Sequence, residues 1–203
     1  MNAFEHAQVR LVGNGALIRD VGEDVDRAGS SDTNVMVSGE LSVVRDVVAH
    51  LIHRRSARRF GPLTTLDCSG LSDETLAFRL AGALSASHLR PDSGQPEPID
   101  RAPKATLFLD NIECTGLPVQ DELFQFLKAR SRSDTRESSV RVITGTRGNL
   151  LSQVTAGAFR EDLYYRLNVM LIRVPPLGES YEDLPALLEH LLQRRALKGI
   201  CQE

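Results

Sequence analysis

Residues 34–46 of this 203-residue chain read N-V-M-V-S-G-E-L-S-V-V-R-D, and this stretch decides the fold. Residues 34–38 are rich in valine and methionine and predict a short buried strand. Gly39 follows directly, as expected where a chain turns sharply. Residues 47–53 then predict a helix that leaves the turn. A strand, a glycine turn and a helix in this order predict one βαβ unit of a parallel sheet.

The glycine turn lies where a phosphate-binding loop would have the pattern G-x-x-x-x-G-K-[ST]. Gly39 keeps the first position, but Val44 stands at the second glycine, Arg45 at the lysine and Asp46 at the serine or threonine. Val44 is β-branched and resists the positive φ angles that let backbone N–H groups curl around a phosphate, and Asp46 would add a negative charge beside it. The sequence therefore predicts a degenerate phosphate loop, with the members Gly39, Glu40, Ser42, Arg45 and Asp46.

The composition predicts one soluble globular domain. Hydrophobic residues make up 41% of the chain, enough for a buried core at this length, and a net charge of −3 is not the basic surplus of a duplex-binding domain. The three cysteines are widely spaced and form neither a disulfide framework nor a metal-binding pattern. With no signal-peptide pattern and no apolar run near the ~20 residues of a membrane span, we expect a cytoplasmic protein without membrane contact.

Strand-like and helix-like stretches alternate, which predicts an α/β fold with a five-stranded parallel sheet and helices on both faces. The predicted strands are residues 35–38, 63–67, 106–110, 140–144 and 170–174. The predicted helices are residues 41–55, 72–85, 120–129, 160–168 and 182–198, with Ser72 as N-cap of the second. Residues 1–10 are a predicted tail before a single domain over 11–203, in which the proline-rich stretch 86–104 is a predicted mobile loop.

The second half of the chain carries the most specific motif. Residues 159–169 read F-R-E-D-L-Y-Y-R-L-N-V, and residues 172–177 read I-R-V-P-P-L. This segment closely resembles the AAA+ domain of bacterial enhancer-binding proteins, the activators of sigma-54 RNA polymerase. Residues 106–110 resemble the Walker B strand of that family and residues 140–143 its sensor I strand, so that the resemblance extends from about residue 11 to residue 190. It implies a P-loop NTPase fold, ATP with Mg²⁺ as cofactor and a role in transcription control.

The resemblance also assigns roles around the Walker B strand. Asp110 stands at the carboxylate that organises Mg²⁺, which implies a metal site there. The catalytic glutamate beside it is replaced by Asn111, whose amide cannot take a proton from water. Asp67 stands where the family has an asparagine that switches this glutamate. The resemblance therefore implies that hydrolysis is lost or severely slowed.

The phosphate-contacting positions differ from the family as well. Arg45 replaces the lysine that holds the β and γ phosphates, and its planar fork is bulkier than an ammonium group. At sensor I, Thr146 is retained, whereas Arg147 replaces an asparagine. We therefore expect no cofactor, with ATP and Mg²⁺ bound weakly if at all.

Two arginines of the best-matched segment, Arg160 and Arg166, stand at the positions of fingers that reach the nucleotide site of a neighbouring subunit. The alternative is a structural role, in pairs with Glu161 or Asp162. At residues 86–91 the polymerase-contacting motif G-A-F-T-G-A is replaced by A-S-H-L-R-P, so direct remodelling of the polymerase is not expected. We also expect the helical lid of the family to be largely absent, and no DNA-binding domain in the chain.

These patterns favour a pseudo-ATPase module of bacterial transcription control that does not hydrolyse ATP and acts through protein contacts. The expected partner is an intact AAA+ activator or further copies of the same chain. One alternative is a weak ATP-binding ATPase domain that partner subunits complete, and another is a remnant with a fold and no selected role. His50 and His53, three residues apart on a predicted helix, could share a metal, but no third ligand is evident and packing is favoured.

Overall fold

The computed structural model describes residues 16–86, 104–132 and 140–176. The strands are β1 Val35–Ser38, β2 Leu63–Asp67, β3 Thr106–Asp110, β4 Arg141–Thr146 and β5 Met170–Arg173. The helices are α1 Ala16–Gly29, α2 Ser42–Arg55, α3 Asp73–Ala86, α4 Leu117–Arg132, α5 Leu150–Thr155 and α6 Glu161–Leu167. A 3₁₀ turn, Ile112–Cys114, joins β3 to α4.

The five strands form one parallel sheet in the order β2-β3-β4-β1-β5. Strand β1 lies between β4 and β5, with Val35 in register with Ile143 and Met170. Because all strands are parallel, their carboxyl ends lie along one edge of the sheet, which we call the carboxyl edge. The predicted α/β fold, a five-stranded parallel sheet of the P-loop NTPase type, is confirmed.

Helices cover both faces of this sheet. Alternate residues of a strand therefore pack into two different cores. Val35 and Val37 pack with residues of α1 and α2, whereas Met36 faces the opposite core with residues of α3, α4 and α6. Every residue of β3 and β4 is buried. Such strands carry near-continuous apolar runs, which is why the sequence predicted them well.

Two elements, β4 and α4, differ from their predicted boundaries by more than one residue. Strand β4 runs to Thr146 rather than to residue 144, because Ser38 of β1 pairs in register with Thr146 and extends the ladder. Helix α4 begins at Leu117 and ends at Arg132, so it is longer at both ends than the predicted 120–129. The predicted N-cap is confirmed, since the Thr75 N–H donates to Ser72 Oγ at 3.3 Å.

Helix α1 was not predicted, nor were the short helix α5 and the 3₁₀ turn. The charged residues of α1 and its internal Gly22 obscure a helical period that is nevertheless present. Val21, Val25 and Ala28, spaced at i, i+4 and i+7, are buried in the core that α1 shares with α2. This spacing was the available signal.

Some predictions lie outside the described residues. These are the tail 1–10, nearly all of the loop 86–104 and of the polymerase-contacting positions 86–91, and the helix 182–198. Within the three described ranges, no helix has the length and apolar character needed to cross a bilayer.

Candidate functional site

The carboxyl edge brings together most of the residues that the sequence singled out. Asp110 ends β3 and is in register with Asp67, which ends β2. Thr146 ends β4 beside Ser38 of β1, and the Gly39 N–H donates to the Thr146 carbonyl at 3.0 Å. Helix α2 begins at Ser42 and carries Arg45 into the same region.

Arg45 occupies the centre of this region and is fully buried. Its Nε donates to Asp110 Oδ1 at 2.7 Å and its Nη2 to Asp110 Oδ2 at 3.1 Å. Nη2 also donates to Asn111 Oδ1 at 2.7 Å, while Nη1 donates to the carbonyls of Gly39 and Glu40. The five acceptors match the five N–H groups of a guanidinium, so Arg45 has no donor left for a ligand.

Both carboxylate oxygens of Asp110 also accept hydrogen bonds from within the chain. Its side chain is 3% exposed, and besides the two bonds from Arg45 it accepts one from Ser42 Oγ. Gly145 of β4 makes room for this arrangement. A Cβ at that position would lie 2.2 Å from Asp110 Oδ1 and 3.2 Å from Arg45 Nε. The pair therefore depends on a glycine that sequence reasoning did not single out.

Asn111 connects this pair to the neighbouring strands. It lies in the left-handed region, with φ 53° and ψ 46°, a conformation that asparagine tolerates better than most residues. Its Oδ1 accepts from Arg45 and, at 3.2 Å, from Arg147 Nε, and its Nδ2 donates to Asp67 Oδ1 at 2.8 Å. Burial raises the pKa of Asp67, but hydrogen bonds from Asn111 and Ser69 outweigh it and hold that pKa below its ordinary value.

We call Ser42, Arg45, Asp67, Asp110, Asn111 and Arg147 the carboxyl-edge network. Its rim includes Glu113, whose Oε1 accepts from the Arg147 backbone N–H at 3.0 Å. Thr146 is buried at the end of β4, where its Oγ1 donates to the Gly148 carbonyl at 3.3 Å. Asp46 lies on α2 and contacts His50, with 3.4 Å between its Oδ1 and His50 Nδ1.

The arrangement does not fit Mg²⁺–ATP. A phosphate site needs a cationic side chain and backbone N–H groups directed at the anion, and Mg²⁺ needs a carboxylate oxygen that is not engaged by a cation. Here Arg45 bonds to two loop carbonyls, and the N–H groups of Val44 and Arg45 both donate to the Leu41 carbonyl at 3.1 Å. The oxygens of Asp110 are bonded to Arg45 and Ser42.

A metal site at His50 and His53 has no support among the described residues. There, no three histidine, cysteine, aspartate or glutamate side chains are grouped as ligands. His53 is buried and its Nδ1 lies 2.9 Å from Thr106 Oγ1. Burial lowers the pKa of His53 to about 4, as expected for a neutral histidine in a core.

Arg160 and Arg166 lie away from the network, on the surface formed by α4 and α6. Arg160 donates to both carboxylate oxygens of Asp162, at 3.0 and 2.8 Å, and also to Asp121. Its guanidinium lies 4.7 Å from the centre of the Phe124 ring, and that of Arg166 lies 5.3 Å from it. The side chain of Arg160 remains 31% exposed, so it both pairs within the chain and reaches solvent.

Sequence reasoning missed a second charge cluster, at the amino edge of the sheet. Arg58 is 2% exposed and donates to both oxygens of Asp32, at 2.6 and 2.7 Å. Arg141 is fully buried and donates to the carbonyls of Thr33 and Ala28, and its burial lowers its pKa to about 10. An arginine within an otherwise apolar strand was the available signal. This cluster ties the end of α1 to the sheet and is structural.

The Sigma-54 interaction domain family matches residues 11–173 of the chain. The transcriptional regulatory protein ZraR of Klebsiella oxytoca is 34% identical over 195 residues, which are 94% of this chain and 44% of ZraR. The crystal structure of NtrX from Brucella abortus in complex with ADP has a TM-score of 0.71 at 24% identity and covers 94% of this chain and 43% of that one.

The P-loop NTPase domain of a sigma-54 transport activator from E. coli has a TM-score of 0.55 at 17% identity and covers 77% of this chain and 94% of that one. The two structural likenesses, both below 25% identity, show the fold alone. The chain spans less than half the length of ZraR and of NtrX. Because the family matches most of its residues, the chain belongs to the Sigma-54 interaction domain family.

Proposed function

We propose that this chain is a degenerate sigma-54-activator module that does not hydrolyse ATP and regulates transcription through protein contacts. The observation that carries the proposal is the buried, two-bond pair between Arg45 and Asp110. By the family resemblance these positions belong to the phosphate-binding lysine and the Mg²⁺-organising carboxylate. Here the two side chains neutralise each other instead of binding nucleotide and metal.

The energetics of the pair oppose nucleotide binding. To receive Mg²⁺–ATP, Arg45 would have to leave Asp110, and breaking a buried pair costs about 3–5 kcal/mol. A micromolar complex forms with about −8 kcal/mol, so at about 1.4 kcal/mol per decade this cost weakens binding by roughly two to four orders of magnitude.

The formal charge of the site acts in the same direction. Asp67, Asp110 and Glu113 contribute three negative charges, whereas Arg45 and Arg147 contribute two positive ones. Together these five groups carry a net negative charge. A polyphosphate is strongly anionic, so the electrostatic attraction that a phosphate site requires is missing.

Asn111 is a second reason to expect no hydrolysis. An amide cannot act as a general base, and both polar atoms of this amide already have partners. Replacing Asn111 by glutamate alone is not expected to restore turnover, because Arg45, Asp67 and Arg147 also differ from the family pattern.

Titration calorimetry with Mg²⁺–ATP, together with a phosphate-release assay, tests the proposal. We expect no binding heat above dilution and no phosphate release above that of ATP alone. The matching domain of an intact relative serves as the positive control, and a cooperative urea transition shows that the protein is folded. A dissociation constant in the low micromolar range, or clear turnover by the unmodified chain, contradicts the proposal.

Two features support action through protein contacts. Leu41 and Val43, at the mouth of the degenerate loop, are apolar and 40% and 42% exposed. The Arg160 side chain is partly exposed on the surface formed by α4 and α6. The partner that these features suit is an intact AAA+ activator or a second copy of the chain. The partly exposed Arg160 also favours the alternative, a weak ATPase domain completed by partner subunits, and turnover that appears only with a partner would identify it.

A further inference from the structure

We propose that the hydrogen bond between Asn111 and Asp67, in which an amide donates to a carboxylate, holds the carboxyl edge in one conformation in the absence of nucleotide. We call these two residues the Asn111–Asp67 pair. This inference deepens the proposed function, because it states what takes the structural place of the nucleotide. It concerns the positioning of loops, and no chemical step is assigned to either residue.

The geometry of Asn111 carries the proposal. A guanidinium only donates hydrogen bonds and an ionised carboxylate only accepts them. Asn111 lies between the two kinds of group, with Arg45 and Arg147 at 2.7 and 3.2 Å from its Oδ1 and with Asp67 at 2.8 Å from its Nδ2. An amide satisfies both sides at once. A carboxylate at position 111 would face Asp67 with like charge, and an apolar side chain would remove one hydrogen-bond partner each from the buried Arg45 and from the exposed Asp67 and Arg147.

This pair connects four separate elements. Asp67 ends β2, Asn111 follows β3, Arg147 follows β4, and Arg45 lies in the first turn of α2. Through Arg45 the connection continues to the Gly39 and Glu40 carbonyls, which belong to the loop between β1 and α2. The bonds of Asn111 therefore fix the relative positions of the loops after β1, β2 and β4.

Two further carboxylates contact the arginines that bind Asn111. Asp110 lies beneath Arg45, and Glu113 accepts from the Arg147 backbone. A negative charge added at position 111 would thus be repelled by Asp67, Asp110 and Glu113 while being attracted by two arginines, and of the three carboxylates only Asp67 accepts a hydrogen bond from Asn111. The outcome depends on whether position 67 carries a charge, and this dependence can be measured.

The test is a double-mutant cycle in urea, without nucleotide, with the variants Asn111→Asp, Asp67→Asn and the two combined. In the native background we expect Asn111→Asp to lower the folding equilibrium constant by about tenfold to a hundredfold. In the Asp67→Asn background the same change should be neutral or stabilising. There the amide introduced at position 67 can donate to the carboxylate introduced at position 111, and both arginines can still pair with that carboxylate. Two independent structural effects would be additive, so they would not make the effect of Asn111→Asp depend on residue 67 in this way.

Hydrogen–deuterium exchange supplies the second readout. Asn111→Asp alone should speed exchange in residues 39–41 and 147–149, and the double variant should restore slow exchange. Asn149→Asp is the matched control, since Asn149 is an exposed helix cap whose Oδ1 accepts from the Leu151 N–H, a role that aspartate fills equally well. This control should be neutral in both backgrounds.

Equal effects of Asn111→Asp in the two backgrounds, or unchanged exchange in both loops, overturn the proposal. Because the cycle uses no nucleotide, such a failure leaves the proposed absence of ATP binding standing. Conversely, micromolar ATP binding together with strong coupling in the cycle would defeat the proposed function and keep the role of the pair.

Discussion

At the scale of single residues, the difference between arginine and lysine explains the state of the candidate site. The guanidinium of Arg45 offers five donors in a rigid plane, and five acceptors surround it. A lysine ammonium has three donors and could not satisfy all five of these acceptors at once. Arg45 is therefore specific for this closed arrangement, although it preserves the positive charge.

The buried His53 predicts a pH dependence of stability. Unfolded histidine binds a proton near pH 6.5, whereas in the folded chain burial, with the nearby charges of His50, Arg58 and Arg141, lowers the pKa to about 4. Between these values the unfolded state binds more protons, so stability falls as the pH is lowered from 7 to 4. At about 1.4 kcal/mol per pKa unit, the loss amounts to roughly 3 kcal/mol.

Urea unfolding between pH 7 and 4 measures this loss. His53→Gln should remove most of the dependence, and His50→Gln, at a partly exposed position, should retain it. The lowered pKa values of Asp32 and Asp67 act in a separate window, since those contributions disappear only as the pH falls below the ordinary carboxyl value of 3.8. If the free energy of unfolding of His53→Gln falls with pH as steeply as that of the native protein, His53 is not the source of the pH dependence.

At the scale of elements, the close approach of two strands shapes the site. Strands β3 and β4 are neighbours, and both are buried along their whole length. Asp110 at the end of β3 extends over Gly145 of β4, where only a glycine leaves room for the carboxylate. The sheet thus sets the position of Asp110, and α2 brings Arg45 to it.

Gly145→Ala should displace Asp110 and Arg45 from each other. The added methyl would lie 2.2 Å from Asp110 Oδ1 and 3.1 Å from the Phe108 ring, so we expect a loss of about 1–3 kcal/mol in the free energy of unfolding. Gly148→Ala is the matched control, because a Cβ there meets no atom within 4 Å. Chemical denaturation measures the free energy of unfolding of both variants. If the two lose equal amounts of stability, the space beside Gly145 is not critical.

At the scale of the whole molecule, two regions named by the family resemblance have different surroundings. The nucleotide positions around Arg45 are closed by internal pairs. Arg160 stays partly exposed, although it pairs with Asp121 and Asp162. Exposed pairs of this kind are weak, so they do not prevent an encounter with another subunit. We therefore propose that the chain, with one closed site and one partly exposed arginine surface, joins the ring of another activator through head-to-tail contacts.

We predict that the protein lowers the ATPase rate of an intact activator from the same cell when the two are mixed. The variant Arg160→Ala with Arg166→Ala should lose this effect, because it removes the guanidiniums that would reach the partner's site. The measurement is the phosphate-release rate as a function of mixing ratio. If both proteins change the rate equally, or neither changes it, the two arginines are structural, in keeping with their contacts to Phe124.

The strands, the layering and the family followed from the sequence because their signals are local. Buried parallel strands are continuous apolar runs, and residues 159–169 carry a specific motif. The sequence also located Arg45, Asp67, Asn111 and Arg147 as departures from a working site, beside the retained Asp110. Helix α1 escaped prediction because a charged, glycine-containing segment obscured its period.

What only the tertiary structure decided is how those departures combine. Arg45 and Asp110 are 65 positions apart, and Asn111 and Asp67 are 44 apart. Their pairing depends on strand register, on the left-handed backbone at Asn111 and on the space above Gly145. None of these is a property of a local stretch of sequence. The sequence by itself determined which groups would reach the carboxyl edge, and three-dimensional packing determined that they bind one another, because buried charges must find partners within the fold.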